Sequence, residues 1–215
     1  MSKPQRSDDQ QDSVAKMLAS IRDMASALFF PPKNTVRCVC LPMFRIQVAR
    51  DVGCLLEIDP SVISGTCLPM VLSRRDRHHF PDFAVNRAIG TRLVDAVPVL
   101  GKRTPPEWVR EAAQVLGYHY ETYQEADLRG DIRLDHARDL LQYAAYRISL
   151  GGRVRIIITL LEESGSSPLS SCLQTISSGH DAIAITAALA LQRFIEIELD
   201  DAGIEPDTAI FRFRG

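Results

Sequence analysis

At 215 residues, 46% of them hydrophobic, the chain can bury one good core, or one core and a small second domain. Its 24% charged residues, with Gly and Pro at 12 each, make an ordinary soluble globular composition. No apolar run reaches the ~18–20 residues of a membrane span, and the polar opening Met1–Asp12 lacks the apolar stretch of a signal peptide.

Five cysteines (Cys38, Cys40, Cys54, Cys67, Cys172) are an odd number without CxxC spacing, which predicts reduced thiols in a cytoplasm and matches no standard zinc spacing. The net charge of −2 is unevenly spread. From Gly151 onward five Arg and no Lys face nine acidic residues, a net of −4, which leaves +2 on residues 1–150. Nucleic-acid contacts are expected on the first part.

In chain order, residues 1–12 read as a disordered tail. Val14, Met17, Leu18, Ile21, Met24, Ala25 and Leu28 are spaced as an amphipathic helix over Ser13–Phe30, ended by Pro31-Pro32. Thr35–Leu41 alternates as a strand, and Phe44–Ile58 is helical up to Asp59-Pro60. Three antiparallel strands follow at Thr66–Leu72, His79–Val85 and Thr91–Val97, the first two joined by the basic turn Ser73–Arg77. A helix opens at Pro105-Pro106 and stops at Gly117, Tyr118–Thr122 returns as a strand, and Asp131–Leu150 is a long helix.

This order predicts an α/β domain over 13–150 with a mixed sheet flanked by helices. Gly151-Gly152 marks the expected boundary. Helices at Arg153–Glu163, Ser167–Ile176 and Gly179–Phe194 and strands at Ile195–Leu199 and Thr208–Phe213 then give residues 151–215 the order of a winged-helix module.

The chemistry centres on Pro81-Asp82 at the head of one strand and Asp95 on the next. Paired strands lie ~4.8 Å apart, so two such carboxylates can share a divalent ion for phosphodiester cleavage. Read by itself, so short a pair is better accounted for by the bland reading, a strand-start turn and a lone strand charge. Arg74, Arg75, Arg77, His78 and His79 at the basic hairpin are candidates for gripping DNA phosphates, and a charged turn is also simply a solvated turn. Trp108, Tyr118, Tyr120 and Tyr123 read as packing residues rather than base-stacking platforms, and His136 as structural.

Residues 45–147 resemble the N-terminal nuclease domain of TnsA-type transposon endonucleases. The family helix "E-R-D-x-x-x-L-L-E-x-D-P-x-V" is similar to Ala49-Arg50-Asp51 through Leu55-Leu56-Glu57-Ile58-Asp59-Pro60-Ser61-Val62. Its "Q-P" strand resembles Leu68-Pro69, "H-x-x-P-D-F-x-V" resembles His78 through Val85, and "L-V-E-V-K-P" resembles Leu93-Val94-Asp95-Ala96-Val97-Pro98. Further likeness runs through Gly117–Arg129 and Arg133–Tyr143, and weakly through 153–214.

The resemblance implies a restriction-endonuclease-like fold in which Asp82 and Asp95 hold Mg²⁺ or Mn²⁺. The family's helix glutamate falls on Ala49 and its lysine on Val97, neither of which can ligate or stabilise charge. Glu57, roughly 12 Å along the helix, is too far to substitute. Loss of two of four groups that act together implies little remaining catalysis and weak metal retention. The expected role is a non-cutting subunit of a transposition-type complex, binding DNA with residues 1–150 and a DDE-type transposase or an AAA+ ATPase regulator with residues 151–215. There, Asp200, Asp201, Glu205 and Asp207 would give an acidic wing, and Ile183, Ala187, Leu189 and Leu191 would pack the core. Two alternatives are an active metal-dependent endonuclease and an interaction protein without a DNA role.

Overall fold

The computed structural model of the protein describes residues 5–32, 34–101, 103–162, 165–175, 179–199 and 203–213. The chain divides into two compact units: Met1–Pro31, Arg37–Leu56 and Ser61–Arg129 form the first, and Pro32–Val36, Glu57–Pro60 and Gly130–Gly215 the second.

The first unit begins with helix α1 (Gln5–Ser26). Residues 5–12, expected as a disordered tail, belong to this helix; residues 1–4 lie outside the described residues. Helix α2 (Gln47–Ile58) buries Val48, Ala49, Val52 and Leu56 and ends before Pro60, whose ring disfavours a helical residue ahead of it. Strand β1 (Val62–Cys67) follows, then the short ribbon β2 (Leu72–Arg74) and β3 (Arg77–His79), and then β4 (Phe83–Arg87) and β5 (Gly90–Val97). Helix α3 (Trp108–Val115), strand β6 (His119–Gln124) and a single turn α4 (Glu125–Leu128) complete it. The sheet order is β1-β4-β5-β6, antiparallel except for the parallel β5–β6 pair, so the sheet is mixed as expected.

Several expected boundaries shift for identifiable reasons. Thr35–Leu41 is not a strand; its backbone pairs with β1 at the isolated bridge Cys38–Gly65. The strand expected at Thr66–Leu72 lies at Val62–Cys67. Leu68 turns to a φ of 45° and Pro69 has no N–H to donate, so the ladder stops at Cys67. Pro81 likewise separates β3 from β4, where one strand over His79–Val85 was expected. The β4–β5 hairpin turns on two residues, Ala88 and Ile89, and closes on Gly90 at φ 118°, a backbone region open to glycine.

In the second unit, α5 (Ile132–Leu141) starts at Asp131, whose carboxylate accepts from the Arg133 N–H. It ends nine residues before Leu150 because Tyr143 and Ala144 donate to carbonyls three residues back and tighten the chain into turns. Helix α6 (Leu150–Glu162) contains Gly151 and Gly152, where the boundary was expected, in its first turn, and the compact units divide at Arg129–Gly130. Strand β7 (Ser166–Pro168), helices α7 (Leu169–Gln174) and α8 (Gly179–Leu191), and strands β8 (Ile195–Ile197) and β9 (Ala209–Arg212) follow. Strand β7 was expected as the start of a helix. Its residues pair instead with β9, giving the sheet order β7-β9-β8. Ile183, expected in the core, is exposed, while Ala187, Leu189 and Leu191 are buried.

Behind the first unit's sheet, Leu72, Leu93, Trp108, Val109, Ala113 and Tyr120 form one apolar cluster. Leu93 on β5 is fully buried there, so Leu93→Ala should cost about 2–5 kcal/mol. Urea unfolding of the two proteins measures this directly; a loss under about 1 kcal/mol would show that β5 is not the centre of the core.

Candidate functional site

The β4–β5 register sets Phe83 opposite Val94, and its continuation sets Asp82 opposite Asp95. Both carboxylates are almost fully buried, at 3% exposure each. They are tied to each other through the backbone: the Asp82 N–H donates to Asp95 Oδ1 at 3.1 Å, and the Ala96 N–H donates to Asp82 Oδ2 at 3.0 Å. The sequence-based pairing of these two residues is thus present in the fold.

What stands between them is a guanidinium. Arg45 donates from Nε and Nη2 to Asp82 Oδ1, at 2.9 and 2.6 Å, and its Nη2 lies 3.7 Å from Asp95 Oδ1. The same Nη2 donates to the Phe80 carbonyl at 2.7 Å. On the far side, His79 Nε2 donates to Asp95 Oδ2 at 2.6 Å and the Tyr120 hydroxyl donates to the same oxygen. Arg103, on the loop after β5, adds a positive field felt by both carboxylates.

Burial pushes the Asp82 carboxyl above its ordinary range, against the pull of Arg45 and with the push of Asp95. The Tyr120 phenol is driven up as well, first by burial and then by Asp95. It remains a neutral donor to that carboxylate.

The position of Arg45 follows from its neighbour. Phe44 is buried with its ring 6.1 Å from that of Phe83 and under the Arg50 guanidinium at 4.9 Å. Gly53 on α2 allows this approach, because a Cβ there would lie 3.0 Å from the Phe44 ring. With Phe44 held, the next side chain is delivered to the two carboxylates.

The remaining candidates are placed unevenly. Ala49 is buried in α2 and Val97 ends β5 opposite Gln124. Arg75 and Arg77 are exposed on the β2–β3 ribbon, with Arg75 in its tight turn at φ 55°. Arg74 instead meets Glu111 at 2.9 Å, His78 Nδ1 meets the Ser73 hydroxyl at 2.9 Å, and His79 turns inward to Asp95. Trp108 and Tyr120 are core residues, and His136 Nδ1 donates to the Leu199 carbonyl at 3.0 Å. Of the acidic wing, Asp200 and Asp201 lie outside the described residues.

Sequence reasoning missed Arg45 and the polar role of Tyr120. The available signal for Arg45 was a lone cation in the otherwise uncharged stretch Leu41–Val48. It also missed a group of three thiols. Cys38, Cys40 and Cys67 bring their sulfurs within 4.8 Å of one another. Hydrogen bonding from Cys67 brings the Cys40 thiol down to about 5, while hydrogen bonds with Cys38 and then Cys40, and burial, drive the Cys67 thiol up.

No family model matches the chain, and no curated protein is similar enough to it to count as a relative. No described helix is long and apolar enough to cross a membrane.

Removing the cation from between two buried carboxylates leaves uncompensated charge, which typically costs about 3–5 kcal/mol. Arg45→Met should lose stability on that scale at neutral pH. A carboxyl whose folded pKa is raised favours the folded chain at low pH, and that contribution is lost as pH rises through the folded value. The deficit of Arg45→Met should therefore be smaller at about pH 5 than at about pH 8. Chemical denaturation at both pH values measures it, and an equal deficit at the two would rule out charge burial as its cause.

Proposed function

We propose that the first unit is a nuclease-type domain that has lost its chemistry and serves as a non-cutting, DNA-binding subunit of a transposition-type complex. The observation that carries this reading is the side chain of Arg45 between Asp82 and Asp95. In a cleaving site of this kind the carboxylates hold a divalent ion, which polarises the phosphate and activates water. Here Asp82 Oδ1 accepts from Arg45, Asp82 Oδ2 from Ala96, Asp95 Oδ1 from Asp82, and Asp95 Oδ2 from His79 and Tyr120. This donor set does not suit Mg²⁺ or Mn²⁺, because a hard cation needs oxygens free to face it and would meet the fixed charge of Arg45. Ala49 and Val97 contribute no further ligand or cation. No cleavage step is assigned to these residues.

The order of elements supports the fold half of the proposal. Helix α2, three antiparallel strands β1, β4 and β5, helix α3 and a parallel strand β6 are compatible with a restriction-endonuclease-like core. In the second unit, α6, β7, α7, α8, β8 and β9 are compatible with a winged-helix-like module. An acidic composition and a cleft of about 370 Å³ lined by Leu140, Tyr143, Leu173 and Ile183 favour a protein partner there, such as a transposase or an ATPase regulator, over DNA. The DNA contact is assigned to the first unit, through the exposed Arg75 and Arg77 on the β2–β3 ribbon.

Two measurements test this. Plasmid DNA incubated with the protein and Mg²⁺ or Mn²⁺ should remain uncut, and metal-dependent nicking removed by Asp82→Ala would overturn the non-cutting assignment. In gel shifts across a salt series, each lost phosphate contact lowers the salt slope by about 0.9. Arg75→Ala/Arg77→Ala should therefore bind duplex DNA more weakly, with a slope shallower by about 2. An unchanged slope would remove the ribbon from the interface, and no binding by the intact protein would favour an interaction protein without a DNA role.

A further inference from the structure

The three thiols lie outside the carboxylate site and come from two segments. Cys38 and Cys40 sit on the stretch ahead of α2, which has little regular hydrogen bonding: Val39 donates to the Gly65 carbonyl and Gly65 to the Arg37 carbonyl, both at 2.9 Å. Cys67 is the last residue of β1 and is buried, whereas Cys38 and Cys40 are half-buried. The Sγ atoms of Cys38 and Cys40 are 3.4 Å apart, and those of Cys38 and Cys67 are 3.7 Å apart.

These spacings have a chemical meaning. Zinc binds thiolate sulfur at ~2.3 Å, so the edge of a tetrahedral sulfur site is about 3.8 Å. Two of the three edges are close to this length and all three sulfurs lie within 4.8 Å of one another, so together they can form one face of such a tetrahedron. The surroundings also suit an anionic centre. The Cys67 N–H donates to Cys40 Sγ at 3.3 Å, and Arg22, held by the Leu68 and Pro69 carbonyls at 2.8 to 3.2 Å, acts electrostatically on Cys40. Three thiolates around a divalent ion leave one net negative charge, which a neighbouring guanidinium offsets.

We propose that Cys38, Cys40 and Cys67 form a thiolate site for a soft d¹⁰ cation, with Zn²⁺ as the ion to test, that fastens the 37–45 segment to the end of β1. Soft sulfur ligands select such ions over Mg²⁺ or Mn²⁺. Each thiol releases its proton to solvent as the ion enters, and no oxidant or reductant is involved. The site's role is structural: the fastened segment leads directly into Phe44 and Arg45. The inference does not depend on the nuclease-type reading.

The test uses the full-length protein, reduced and stripped of metal. Cd²⁺ should bind with one equivalent and give a thiolate-to-metal charge-transfer band. That band should be lost in Cys38→Ser and in Cys40→Ser, both chosen because their sites are half-buried, and kept in Cys172→Ser in the other unit. Circular dichroism checks that each variant is folded. Independently of any variant, one equivalent of Zn²⁺ should protect Cys38 and Cys40 of the unmodified protein from alkylation and raise its melting temperature. Absence of the band, its survival in both serine variants, or full alkylation in the presence of Zn²⁺ would overturn the proposal. So would a disulfide between Cys38 and Cys40 in protein that retains no metal.

Discussion

Two carboxylates buried side by side in a protein interior repel each other and have lost most of their hydration, so they require a positive charge in contact with both. Arg45 meets that requirement in the first unit. Its planar fork satisfies Asp82 with two donors, reaches Asp95 with the same nitrogen, and holds the Phe80 carbonyl. A lysine could not make this set of contacts, because its single ammonium cannot present two parallel donors to one carboxylate oxygen while reaching a second group. The surrounding features act through this charge: Phe44 aims it, Gly53 makes room for Phe44, and His79 and Tyr120 complete the shell of Asp95.

The sheet makes the charge cluster possible. A hairpin turn of two residues fixes the β4–β5 register, and a slip of one residue would send one carboxylate to the opposite face. The parallel partner β6 then supplies Tyr120 opposite Leu93, so the apolar cluster and the polar cluster share one side chain, with the ring in the first and the hydroxyl in the second. This is the arrangement expected of a buried tyrosine, whose hydroxyl seeks a partner while its ring is buried.

Much of this was legible in the sequence. Alternation and turn residues located most strands to within a few positions, and the Pro81-Asp82 and Asp95 signals identified the two carboxylates that the register brings together. The departures have local causes: Leu68 and Pro69 cut one strand short, Pro81 split another in two, and i→i+3 bonds stopped α5 early. The cluster's cation was harder to find, because Arg45 is 37 residues from Asp82 and no local pattern links them. The three thiols were missed for the same reason. Cys67 is far along the chain from Cys38 and Cys40, and the two segments meet through an isolated bridge at Gly65 rather than a regular ladder.

The Arg45 contact also constrains the order in which sequence changes could occur. On the reading proposed above, installing a glutamate at Ala49 and a lysine at Val97 would not restore a cleaving site while a guanidinium holds the carboxylates. Losing that guanidinium first leaves two buried charges unmatched, at a cost that is a large fraction of the ~5–15 kcal/mol stabilising a typical domain. An ion would have to occupy the site as the arginine departs, yet the remaining ligands bind it poorly until the glutamate is present. On that reading, each single-step route to a metal-holding site passes through a chain in which the two buried carboxylates lack their cation, and the Arg45 contact sets the order of changes.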